Sequence, residues 1–261
     1  MWDGDYTFDN SRVIQGDEEK MSTIETGSVS LICADLPFGK TKNKWDVVIP
    51  PEKLWKHYWR VLKPNGAIVL FGQDKFTAMM MLSDKNHRYN IIWEKTTVTG
   101  HLNAKKMPMR CHEDMMVFYK KLPTYNPQKT TGHPKKVSSA GHKRNSKKTT
   151  NYGEHKFTGY SSTERYPKSV WKFATDKQKN PLHATQKPVL LIEEIIKTYS
   201  DPGETVLDNT SGSGTTGEAC INTNRDFILI EKSPVEFEKG KKRIGDVLTE
   251  CGINSENFFK K

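Results

Sequence analysis

The chain has 261 residues, room for one large domain or for one domain with a sizeable insert. Only 34% of its residues are hydrophobic and 28% are charged, so part of it is not core. The net charge of +10 is concentrated: Lys120 to Lys187 holds 16 Lys and Arg against three acids, which leaves −3 for the remainder. So localised a field points to a polyanion, nucleic acid or an anionic membrane; the alternative is a solvated lysine-rich loop.

No run approaches the ~20 apolar residues of a membrane span. The acidic N-terminus lacks the apolar stretch of a signal peptide. Four cysteines without framework spacing read as free thiols of a reducing compartment. The expectation is a soluble, cytoplasmic protein with no membrane partner.

In chain order, RVIQGD reads as a short strand and turn, and SVSLICA as a buried strand. PPEKLWKHYWRVL sets Leu54, Tyr58, Val61 and Leu62 at helical spacing behind a starting proline. NGAIVLFG is a turn and strand, KFTAMMML a helix. YNIIWEK and EDMMVFYK are strands with no evident helix between them, so an antiparallel pair is expected. From about Lys121 to Pro181 periodicity fades into Lys, Thr, Ser, Asn, Gly and Pro. Regularity returns with KPVLLIEEIIKTYS, a helix with Pro188 at its first position. ETVLD (strand), GTTGEACINT (helix), DFILIE (strand) and VEFEKGKKRIGDVL (helix) follow. Strand–helix alternation around an irregular insert predicts an α/β fold with a mostly parallel sheet and helices on both faces.

Three segments carry candidate chemistry. In ADLPFG, a strand ends on Asp35, Leu36, Pro37 and Phe38, a carboxylate, a restricted turn and a ring within four residues. VLDNTSGSGTTG joins a strand to a helix through Gly212 and Gly214, which permit a tight turn and close approach of a ligand. Glu231 ends the next strand, 23 residues after Asp208, where an acid can accept from ribose hydroxyls. No Gly-Lys-Ser/Thr follows the glycines, and Thr215 and Thr216 sit where a lysine would be needed, which argues against a P-loop. HATQKP puts Thr185, Gln186 and Lys187 before a helix whose free N–H groups favour a carboxylate; plain capping explains this segment equally well. The histidines form no metal-ligand set.

Together and in this order, ADLPFG, HATQKP and VLDNTSGSGTTG resemble the catalytic, cofactor-capping and cofactor-loop motifs of the beta class of S-adenosylmethionine-dependent DNA amino-methyltransferases. The resemblance spans most of residues 11–245, is nearest to adenine enzymes of phage and restriction-modification systems, and implies a Rossmann-like methyltransferase fold with permuted motif order. It implies S-adenosylmethionine as cofactor and duplex DNA as partner, and is compatible with a homodimer and with a cognate restriction enzyme. It divides the chain into a catalytic half (1–120), a target-recognition insert (121–181) and a cofactor-binding half (182–261). Asp35, Leu36, Pro37 and Phe38 become the catalytic set. The cofactor set is Asp17, Asp35, Thr185, Gln186, Lys187, Asp208, Asn209, Thr210, Ser211, Gly212, Gly214, Thr215 and Glu231. Lys135, Lys136, Lys143, Arg144, Lys147 and Lys148 suit DNA phosphates. No metal is implied. The chain departs from the family at Leu36, often Pro, at Phe38, often Tyr, and at Asn209-Thr210, often Pro-Phe.

The expected reaction is base flipping and methyl transfer to the N6 amine of adenine. Asp35 and the Leu36 carbonyl accept the amine's two hydrogens, Pro37 fixes that carbonyl's direction, and Phe38 stacks on the base. Alternatives are methylation of the cytosine N4 amine, an RNA substrate, or a non-catalytic nucleic-acid-binding protein. A nicotinamide oxidoreductase explains the glycines and Glu231 but not the basic insert.

Overall fold

The computed structural model describes residues 6–41, 43, 46–139, 159–175 and 186–260. Its first part runs β1 (Arg12–Gln15), β2 (Val29–Ala34), α1 (Pro51–Val61), β3 (Leu62–Gly72), α2 (Asp74–Ser83), β4 (His87–Thr99) and β5 (Arg110–Phe118). There follow β6 (Lys136–Ser138), β7 (Tyr160–Ser162), β8 (Val170–Phe173), α3 (Val189–Tyr199), β9 (Thr205–Asp208), α4 (Thr215–Asn222), β10 (Asp226–Glu231), α5 (Pro234–Glu250) and β11 (Phe259–Lys260).

Nine of these strands form one sheet in the order β11-β1-β10-β9-β2-β3-β5-β4-β8. Neighbours pair parallel except where β5 meets β3 and β4, so β5 alone runs against the rest. The antiparallel β4–β5 pair is the one expected from the missing helix. Every residue of β2 is buried, with no polar alternation, because helices cover both faces. One face packs against α3, α4 and α5 through residues such as Ile195, Ala219 and Ile244, and the other against α1 and α2 through Leu54, Tyr58 and Met80. Each buried Leu, Ile or Met among them contributes roughly 1.5–3 kcal/mol on leaving water.

Two details differ from the sequence reading. Pro188 caps α3 instead of opening it: its ψ of 133° is extended, and its carbonyl accepts from Leu191 and Ile192. The segment read as irregular to Pro181 contains β8, an edge strand of the main sheet that buries Trp171. The described chain separates into two compact units, Met1–Asn126 with Ser169–Lys261, and Pro127–Lys168. The small unit has a two-stranded β6–β7 ladder, a Thr130–Arg165 bridge and a Lys129–Glu164 ion pair at 2.9 Å. Among the described residues, no helix is long and apolar enough to cross a membrane.

Candidate active site

β2 lies near the middle of the sheet and delivers Asp35 directly past its last residue. The side chain is 29% exposed, and its neighbour Leu36 is buried. Lys187, just before α3, donates to Asp35 Oδ2 and lies 3.3 Å from Glu113 of β5. Glu113 also accepts from Lys95 of β4. Acid and base therefore alternate through four side chains: Asp35, Lys187, Glu113, Lys95. Aromatic faces line the chain, with Lys187 Nζ 5.0 Å from the Phe71 ring centre and Lys95 Nζ 4.9 Å from that of Trp93.

The charges set one another. Burial pushes the Asp35 carboxyl up, Lys187 pulls it down and Glu113 pushes it up again; the balance lies above the ordinary value. Burial would also raise Glu113, but Lys187 and Lys95 outweigh it and hold this acid below its usual range. Burial disfavours the Lys187 ammonium, yet Asp35 and Glu113 keep it above. Among the described residues, Asp35 Oδ1 is buried and has no hydrogen-bond partner. A desolvated acceptor left open at a strand end is costly unless something else fills it.

Phe38 packs against both apolar clusters, with its ring 4.9 Å from that of Phe76 on α2. The two rings, Val48 and Met79 line an open cleft of about 410 Å³ flanked by Lys40 and Lys75. Asp46 braces the loop after Phe38 by accepting from the backbone N–H groups of Gly39, Lys40 and Thr41 at 2.6–2.8 Å. Burial would raise the Asp46 carboxyl, but these bonds, Thr41's first, hold it below its ordinary value.

The glycine loop reaches the same strand end. Thr210 Oγ1 donates to the Asp35 carbonyl at 3.1 Å. Gly212 has φ 52° and Gly214 φ 81°, the left-handed region that side chains resist. A Cβ on Gly214 would sit 3.1 Å from Gly240 Cα of α5, so loop and helix pack backbone to backbone. At Gly212 a Cβ would meet nothing within 4 Å: the loop faces open space there. Glu231 holds the loop by accepting from Gly212 N at 2.8 Å and from Ser233 N at 2.7 Å. Gly16 N donates to the Glu231 carbonyl at 2.9 Å, which brings Asp17 beside this corner; Asp17 caps the short turn after it.

Several residues of the expected cofactor set have side chains turned inward. Asp208 accepts from Thr210 N at 3.0 Å and Thr216 Oγ1 at 2.6 Å, and burial pushes its carboxyl up to about 7. Asn209 Oδ1 accepts from the buried Tyr58 hydroxyl at 2.6 Å. Ser211 Oγ donates to Ile230 O at 3.3 Å, and Thr215 accepts from Arg243 at 2.9 Å. Gln186, with its amide oxygen turned toward α5, accepts from Arg243 at 3.3 Å. These side chains build the loop, and the open side at Gly212 is bare backbone. Thr185 lies outside the described residues.

Of the expected phosphate contacts, Lys135 and Lys136 are exposed in the small unit, whereas Lys143, Arg144, Lys147 and Lys148 fall outside the described residues. The sequence reading missed Glu113, Lys95, Tyr58 and Arg243. A signal existed for Glu113: it sits in an apolar strand, on the face that carries Met115 and Val117 into the core.

Fold and site together define a Rossmann-like α/β domain whose strand ends bring an acid–ring turn and a glycine loop to one place. The chain belongs to the DNA methylase family, whose model matches residues 29–242. The Type II methyltransferase M.HpaI of Haemophilus parainfluenzae is 27% identical over 86% of this chain and 70% of its own. The DNA adenine methyltransferase YhdJ of Escherichia coli (strain K12) is 27% identical over 89% of this chain and 82% of its own. The crystal structure of the M1.HpyAVI–SAM complex shares the fold, with a TM-score of 0.58 and 21% identity over 89% of this chain and 98% of that one.

Proposed function

We propose that this DNA methylase transfers a methyl group from S-adenosylmethionine to the N6 amine of an adenine flipped out of duplex DNA. The observation that carries the reading is Asp35 Oδ1, a buried acceptor without a partner among the described residues, beside Lys187 and tied through Thr210 to the glycine loop. Membership of the DNA methylase family supplies the substrate class. A relative described as an adenine methyltransferase and a structural neighbour solved with SAM support the choice of base and cofactor.

The residues suit the cofactor. The open side of Gly212 admits a ligand against backbone, and Glu231 has the acceptors for ribose hydroxyls. The helix start after Lys187 is the positive end of the α3 dipole and favours a carboxylate nearby. When bound, the cofactor supplies an electrophilic methyl on a sulfonium.

An adenine amine is a weak nucleophile because its lone pair is delocalised into the ring. Asp35 Oδ1 accepts one amine hydrogen and the Leu36 carbonyl the other, which draws the lone pair back onto nitrogen and aims it. Positive charge then grows on that nitrogen beside a fixed carboxylate, so the interaction strengthens in the transition state. Phe38 offers its ring to the base at the mouth of the Phe38–Phe76 cleft. In the same reading the basic insert, including Lys135, Lys136, Lys143, Arg144, Lys147 and Lys148, follows the phosphates.

The test is incubation with methyl-labelled S-adenosylmethionine and unmethylated duplex DNA, digestion, and mass spectrometry of the nucleosides. N6-methyladenine supports the reading. N4-methylcytosine keeps the mechanism and changes the base. Absence of label in DNA overturns it.

A further inference from the structure

The β4–β5 hairpin extends past the sheet on the side of the candidate site. Glu113 contacts Lys187 in the charge chain; three residues earlier in β5, about 10 Å along a strand, Arg110 donates to Gln73 at 3.2 Å and pairs with Asp74 at 2.9 Å. Asp74 also takes Lys40, two residues after Phe38, so hairpin base and catalytic turn share one acid. Between the Glu94–His112 and Thr99–Arg110 pairs the β4–β5 register shifts, an irregularity of the kind that bends a ribbon.

The tip has its own backbone order. Asn103 N donates to Gly100 O at 2.9 Å, Lys106 N to Asn103 O at 2.8 Å and Met107 N to Asn103 O at 3.0 Å. Yet every residue from Thr96 to Met109 is exposed, and Leu102 in the short turn is 87% exposed, with Met107 and Met109 exposed in the same segment. Apolar side chains held in water on an ordered turn are unexplained by the packing of this unit. The tip from Thr96 to Met109 carries Lys105 and Lys106 and no acid, while Lys95 and Arg110 at its base are paired with Glu113 and Asp74.

Apolar tip, cationic flank and attachment to the catalytic turn fit one partner, duplex DNA. We infer that the hairpin tip enters the duplex next to the target base, with Leu102 filling the space the flipped base leaves and Lys105 and Lys106 on flanking phosphates. Apolar wedges of this kind recover stacking area lost at an opened step. A second copy of this chain is the weaker candidate, because two tips of like charge repel. This inference rests on the proposed DNA methylation and deepens it.

The test compares a fluorescent duplex with the same duplex carrying one abasic site, titrated with the full chain and with Leu102→Ala, Leu102→Met and Lys105→Ala/Lys106→Ala. All substitutions are at exposed positions, and thermal melting checks the fold. The parent is expected to favour the abasic duplex, Leu102→Ala to lose about ten-fold on it, and Leu102→Met to regain the preference. The double lysine variant should weaken both duplexes alike and flatten the log–log salt slope by about 2, close to 0.9 per phosphate. Parental binding by every variant, with parental methylation of unmethylated plasmid DNA, overturns the wedge and leaves the function standing. A change in sedimentation of Leu102→Ala without a change in DNA binding overturns it in favour of contact between copies. A parent that methylates no DNA overturns both.

Discussion

Lys187 and Asp35, 152 residues apart, meet as an ion pair at the end of β2, and the same ammonium reaches Glu113 at 3.3 Å. The acid proposed for catalysis thus has a fixed counter-ion, and that counter-ion is held from behind by a second acid.

Removing the second acid shows how the pair is tuned. Glu113 raises the Asp35 carboxyl, so Glu113→Gln should lower it. In the proposed mechanism Asp35 acts as the carboxylate, so the acid limb of the pH–rate profile should move to lower pH. Breaking a buried pair should also cost about 3–5 kcal/mol of stability. A variant that loses stability while its acid limb stays put would mean that Glu113 only braces the fold.

The turn proposed for catalysis gives a second expectation. Asp35→Ala should cut single-turnover methylation by about 100-fold or more, with S-adenosylmethionine binding nearly unchanged, since the interaction belongs to the transition state. Phe38→Ala should weaken the hold on the flipped base by roughly 1–3 kcal/mol, whereas Phe38→Tyr keeps the ring and should be near neutral. Turnover by Asp35→Ala within a few-fold of the parent removes Asp35 from catalysis.

Glu231 clasps Gly212 N at 2.8 Å, and in the proposed reading it also holds the cofactor ribose. Glu231→Ala should reduce S-adenosylmethionine affinity by about 1.5–3 kcal/mol, the scale of a charged hydrogen bond. Calorimetry decides this: parental affinity in a folded variant puts the cofactor elsewhere.

Asp208 predicts a pH dependence of stability. Its folded value, about 7, lies above the ordinary aspartate value near 3.9. The stability it contributes is therefore complete below about pH 4 and is lost as pH rises through about 7. Asp208→Asn, which cannot ionise, should flatten the melting temperature against pH across that window, even if the lost acceptor lowers the whole curve. Parallel curves for parent and variant would show that Asp208 titrates as in the unfolded chain.

The sequence by itself carried the strand–helix alternation, the pairing of YNIIWEK with EDMMVFYK and the family motifs. These are local: periodicity, turn residues and short spacings are set by neighbours along the chain. The site's inner structure was not legible. Nothing near Glu113 in sequence announces Lys187 and Asp35, which reach it only when β5 runs against β3 and α3 starts beside β2. Asp208, Asn209 and Thr215 look like ligand contacts in a linear motif, yet their side chains face Thr216, Tyr58 and Arg243. Trp171 lies in a stretch without periodicity and still becomes core, because β4 offers it an open edge. Tertiary structure decided these points because a buried charge or hydroxyl must find a partner across the fold, and its partner is set by which strands are neighbours, not by distance along the chain.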